Sequence, residues 1–122
     1  MFDLNRLLNS FKYASEGISY AVKHNQNIKF HLIAGFVVLA TGFLVGITRY
    51  ETFGVGVLIV LVISAEMINS AIEEVVDLLV KEHSKEAKIA KDVSAGMVLM
   101  IAIFAAVVGI FIFLPHILAL FG

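Results

Sequence analysis

Phe53 to Ala65 is a run of thirteen residues without a charge, and it passes directly into Glu66-Met-Ile-Asn69-Ser70-Ala-Ile-Glu73-Glu74-Val-Val-Asp77. A chain built this way carries carboxylates to membrane depth. At 100° per residue, Glu66, Asn69, Ser70, Glu73 and Asp77 share an arc of roughly 100° along about 16 Å of helix. Against lipid, each ionised side chain near the bilayer centre would cost about 2.5 kcal/mol or more. The stripe therefore needs a covered or watered face, and its depth marks it as a candidate functional site.

A membrane-crossing helix takes about 20 mostly apolar residues. Phe30 to Thr48, Phe53 to Ile72 and Val93 to Leu114 meet that length, with the second helix continuing into the cytosol to Val80. This predicts an all-α membrane protein of one domain over residues 1–122, with three transmembrane helices. A content of 60% hydrophobic and 16% charged residues agrees with lipid rather than water as the main solvent. Ahead of the first span, Leu4, Leu7, Leu8, Phe11, Ile18 and Val22 recur at helical spacing, which predicts an amphipathic surface helix over residues 3–26.

Lys and Arg number four before the first span (Arg6, Lys12, Lys23, Lys29), one after it (Arg49), four between Lys81 and Lys91, and none after the third. By the positive-inside rule the N-terminus is expected in the cytoplasm and the chain in the plasma membrane. The opening residues lack the apolar core of a signal peptide, so the spans themselves are expected to direct insertion. Pro115 is expected to stop the last helix, and Gly42 with Gly46 forms a small-xxx-small pair that would let two helices approach. A net charge of −1 supplies no basic field for nucleic acid, and the absence of cysteine excludes thiolate chemistry.

With Phe53 at the outer edge and a hydrocarbon core of about 30 Å, Glu66 lies roughly 9 Å inside the cytoplasmic boundary, Glu73 at the interface and Asp77 in water. Glu73, Glu74 and Asp77 alone would pass for a solvated helix end. Glu66 and Asn69 would not: an acid one turn from an amide, below the interface, has to be paired, protonated or catalytic. Lys91-Asp92 opens the third span, either to hold phosphate and metal or as a snorkelling lysine beside a capping aspartate. His24, His31, His83 and His116 lack metal-site spacing and read as interfacial residues. No Walker or kinase glycine loop is present.

Glu66-Met-Ile-Asn69-Ser70-Ala-Ile-Glu73, then Val-Val-Asp77, then Ala90-Lys91-Asp92, resembles the prokaryotic diacylglycerol kinase family, which includes the undecaprenol kinases of Gram-positive bacteria; Arg6, Tyr13 and Gly17 also fall at matching places. The resemblance implies a homotrimer with composite sites that moves the γ-phosphoryl of ATP, with Mg²⁺, onto a lipid hydroxyl, either undecaprenol or diacylglycerol. By position, Glu66 matches the catalytic base and Asn69 its orienting neighbour. Glu73 matches a metal ligand, and Arg6, Tyr13, Glu73, Asp77, Glu82, His83, Ser84, Lys91 and Asp92 match nucleotide contacts. Arg6, Glu66 and Ala95 fall at lipid-contacting places.

The match departs from the family at Asn25, an amide where a second metal-binding glutamate is usual, so metal binding there would bring no charge. Ala14 and Ala95 replace serines of some members. The ending Ile-Phe-Ile-Phe-Leu-Pro115 resembles Gram-positive relatives and favours undecaprenol.

Two other readings remain at this point. A small proton- or ion-conducting protein would use Glu66 as a relay, but the first and third spans offer only Thr41 as a polar residue at that depth. An adaptor assembling through Gly42 and Gly46 would leave the acidic face unexplained. Three helices per chain are expected not to enclose that face unaided, so neighbouring subunits would cover it.

Overall fold

The computed structural model describes all 122 residues and contains four helices: α1 Leu4–His24, α2 Gln26–Val45, α3 Arg49–Leu79 and α4 Lys85–Phe121. The last three are long and apolar enough to cross a membrane. Helix α1 buries none of its residues, as a helix lying along a surface should. The expected all-α architecture of three spans behind an N-terminal helix is therefore present.

Local capping sets where each helix begins and ends. Asn25 adopts an extended conformation and serves two helices: its N–H donates to the Ala21 carbonyl (2.9 Å), ending α1. Its Oδ1 accepts from the backbone N–H groups of Asn27 (2.8 Å) and Ile28 (3.1 Å), starting α2. This cap starts α2 four residues ahead of the apolar run. Gly46, at φ 81°, takes the left-handed turn that closes α2. Thr48 and Glu51 then form a reciprocal capping box that opens α3. Ser84 accepts from the Ala87 N–H (3.0 Å) and starts α4 eight residues before the expected span.

Pro115 does not end the last helix, which runs on to Phe121. Proline removes one backbone hydrogen bond, but stopping inside an apolar medium would strand several carbonyls. The glycine pair also works differently from expectation. Gly46 is a cap, while a Cβ on Gly42 would lie 2.6 Å from Ile47 Cδ1 and 3.3 Å from Phe113 Cζ, so Gly42 clears space for the α2–α3 turn and for α4. The close α2–α3 approach falls one heptad earlier, at buried Gly35, where a Cβ would meet Ile59 Cγ2 at 2.9 Å.

Helix α3 packs most extensively against α4 and next against α2, so it is the central element. Its buried apolar residues Val55, Val62 and Ala65, with Ile28 of α2 and Val98 of α4, make up a small, elongated apolar core. Three of the ten buried residues are polar: Glu66, Asn69 and Ser94. A single chain thus encloses the deep half of the acidic stripe, contrary to the expectation that only neighbouring subunits would do so.

Candidate active site

Because α3 continues beyond its apolar stretch, one helical face carries Glu66 and Asn69 in the interior, Ser70 at half depth, and Glu73 and Asp77 in the open. Opposite this face stand the end of α1 and the Asn25 hinge. Between them is a cavity of about 570 Å³ whose lining includes His24, Asn25, Glu66, Asn69, Ser70 and Glu73. The Asn25 side-chain amide donates to Ser70 Oγ and so ties the hinge to the acidic face. Glu66 is 4% exposed, whereas Glu73 at the same cavity is exposed, so the site grades from buried to aqueous over about two turns.

Each deep polar group has a defined neighbour. Asn69 Oδ1 accepts a hydrogen bond from the Ser94 hydroxyl of α4 (2.6 Å), which also lies 2.9 Å from the Lys91 carbonyl. This fixes the orientation of the amide one turn from Glu66. Glu66 Oε1 lies 3.7 Å from His31 Nε2 on α2, and Glu66 Oε2 is buried with no hydrogen-bond partner. An orphaned carboxylate oxygen inside a protein costs about 1–3 kcal/mol or more, so its persistence calls for a use.

At the aqueous end Lys91 of α4 pairs with Asp77 of α3 at 2.5 Å, and Lys88 pairs with Asp92 at 2.5 Å within α4. Asp92 lies well inside α4, so it is not the helix cap; Ser84 is. Lys91 precedes the apolar span that opens at Val93. Its hydrogen bond to Asp77 holds its ammonium above the usual lysine range, with Glu73 adding to the field, so it stays charged at neutral pH.

Of the residues expected at the site, Asn25, Glu66, Asn69 and Glu73 line the one cavity, and Asp77 and Lys91 meet just beyond it. Arg6 and Tyr13 lie on exposed α1 outside that lining, Glu82 and His83 in the α3–α4 link, Ser84 at its cap, and Ala95 on an exposed side of α4. Sequence reasoning passed over His31 and Ser94. Ser94 sits three residues beyond Lys91 on the same helix, and His31 is a histidine one residue into an apolar run. Their partners are Asn69 and Glu66, so the assertion that the other spans offer only Thr41 near Glu66 does not hold.

A second cavity, about 520 Å³ and apolar, lies between α2, α3 and α4, with Gly35, Val38, Ile59, Ala106 and Phe113 in its lining; His31 borders it. No three His, Asp or Glu side chains gather into a ready-made metal cluster.

Comparison with known proteins gives one consistent result. The model of the family described as prokaryotic diacylglycerol kinase matches residues 12–113. An undecaprenol kinase of Bacillus subtilis is 40% identical over 113 residues, covering 93% of this chain and 92% of its own. A diacylglycerol kinase of Synechocystis sp. is 42% identical over 118 residues, covering 93% of this chain and 66% of its own. A diacylglycerol kinase of Haemophilus influenzae is 30% identical over 95 residues, covering 78% and 80%.

Proposed function

The chain belongs to the prokaryotic diacylglycerol kinase family and is a membrane-embedded phosphotransferase with an alcohol acceptor; from that premise we propose that it moves the γ-phosphoryl group of ATP onto undecaprenol at the cytoplasmic membrane surface. The observation that carries the reading is a single face of α3 with a buried, unsatisfied carboxylate at one end and exposed carboxylates at the other, where Lys91 of α4 pairs with Asp77. A lipid alcohol can reach the first from the bilayer, and a nucleotide can reach the second from water. A conduction role for Glu66 has no comparable support.

In this reading Glu66 Oε2 takes the proton of the lipid hydroxyl as the oxygen bonds to the γ-phosphorus. The bond from that phosphorus to the bridging oxygen breaks, and ADP leaves with the electron pair. Phosphoryl transfer asks the protein mainly for positioning and charge neutralisation. Asn69, held by Ser94, fixes the polar surroundings of Glu66. Lys91 is a point charge for phosphate once Asp77 shares it. Arg6, Tyr13, Glu82, His83 and Asp92 are the further nucleotide contacts, and Arg6 and Ala95 the further lipid contacts, drawn together in a homotrimer with composite sites.

The donor set fits a Mg²⁺ ion that takes most of its ligands from phosphates and water, since such ions commonly use one or two carboxylates. Glu73 would hold it, and the ion would neutralise charge on the phosphates. Asn25 Oδ1 already accepts two backbone N–H groups, which supports a capping role for this residue rather than a metal-binding one.

Two features favour undecaprenol over diacylglycerol: the undecaprenol kinase relative is matched over nearly its full length, and the apolar cavity beside His31 suits a long chain. The test is to give detergent-purified protein γ-labelled ATP, Mg²⁺ and each lipid in parallel. Label in undecaprenol above that in diacylglycerol is expected. The reverse order corrects the substrate, and no transfer to either removes the reading.

A further inference from the structure

The two oxygens of Glu66 are inequivalent. Oε1 faces His31 Nε2 at 3.7 Å, whereas Oε2 has no partner. The other polar side chains nearby are engaged elsewhere: Ser94 with Asn69, Asn25 with Ser70, and Lys91 with Asp77. Among basic side chains, His31 alone brings a nitrogen within 4 Å of the Glu66 carboxylate. It also borders the apolar cavity, while Glu66 lines the acidic one, so the His31–Glu66 contact lies between the two cavities.

Resting on the lipid-kinase reading above, we propose that His31 is a positioning residue for the transfer: its Nε2–H holds Glu66 Oε1, which leaves Oε2 as the oxygen that receives the acceptor's proton. At 3.7 Å the contact exceeds hydrogen-bond length, and it closes by a small rotamer adjustment when the site fills, since catalytic contacts in unliganded sites are commonly long. The backbone around the pair is well placed to hold it. Ile28, one turn before His31, is fully buried, and Gly35, one turn after it, seats α2 directly on α3. Misplacing a proton acceptor by a fraction of an ångström is costly in rate. The wall that His31 forms also brings a hydroxyl from the apolar side to the carboxylate rather than to open water.

The test compares wild type, His31→Leu, His31→Gln, Glu66→Gln and the double variant His31→Leu/Glu66→Gln, purified in one detergent, for kcat, KM of each substrate and ATP affinity. His31→Leu is expected to lower kcat about tenfold or more, with ATP affinity kept. His31→Gln, which offers an N–H at similar reach, is expected to stay within about threefold of wild type. In the Glu66→Gln background the leucine should cost nothing further, because the two residues act as a unit. Near-normal kcat in His31→Leu, or losses that multiply in the double variant, would overturn the role of His31 while leaving the kinase reading in place. Absence of transfer by wild type removes that reading and this proposal with it. Should His31→Leu fail to fold, His31→Asn, whose shorter amide cannot span the gap, is expected to show the same loss.

Discussion

Helix α3 meets a histidine of another helix through one glutamate near its N-terminal end and another in its interior, and the two pairs are built differently. Glu51 Oε1 accepts from the Thr48 N–H at 2.9 Å and has His116 Nε2 at 3.0 Å, and both side chains are more than a fifth exposed. Glu66 Oε1 has only His31, at 3.7 Å, and its second oxygen has nothing, although its side chain is 5% exposed. The wetter glutamate has ample partners and closes a helix end. The drier one is left wanting a hydrogen bond, which is the condition of a group waiting for substrate. Residue type does not separate the pairs; the count of partners at a given burial does.

Several substitutions bear on that contrast. Glu66 itself aside, the largest effect is expected at Asn69→Leu, which removes the amide that Ser94 holds beside Glu66: turnover should fall about 30-fold, whereas an unchanged rate would show that Glu66 needs no support from α4. Lys91→Ala removes the α4 cation that faces the exposed end of the acidic stripe, and steady-state kinetics should show kcat/KM for ATP down about tenfold with folding intact.

At the N-terminal end of α3, Thr48→Ala should lower stability to denaturation by about 1 kcal/mol while turnover per folded molecule is kept; a matching loss of turnover would mean the two ends are coupled. The smallest effect is expected from Asn25→Asp, which keeps the cap and adds a charge near Glu73. The Mg²⁺ concentration for half-maximal rate should drop about threefold through the added field alone, and an unchanged requirement would place the metal beyond reach of that charge.

Most of the architecture was legible in the sequence because lipid imposes a length: uninterrupted apolar runs of about 20 residues leave few other structures. The acidic stripe was equally legible, since a 3.6-residue period places Glu66, Asn69 and Glu73 on one face whatever surrounds them. Helix ends were less so. Thr48-x-x-Glu51 is a readable capping box that hydropathy alone overlooks, and Asn25 serves two helices through a hydrogen bond that composition does not announce. Pro115 misled because a breaker in water is tolerated where ending the helix costs more. The partners His31 and Ser94 depend on the vertical register of α2 and α4 against α3, and no periodicity within one helix reports that offset.

The central claim is that the partner-poor buried glutamate performs the chemistry and the well-partnered one does not. Glu66→Gln and Glu51→Gln make the same change, carboxylate to amide, at the two pairs, and turnover and ATP affinity measured on both in one preparation compare them directly. Glu66→Gln should lose about 10²-fold or more in turnover with ATP still bound, while Glu51→Gln keeps turnover near wild type. Near-normal turnover in Glu66→Gln, or equal losses in both variants, would contradict the account.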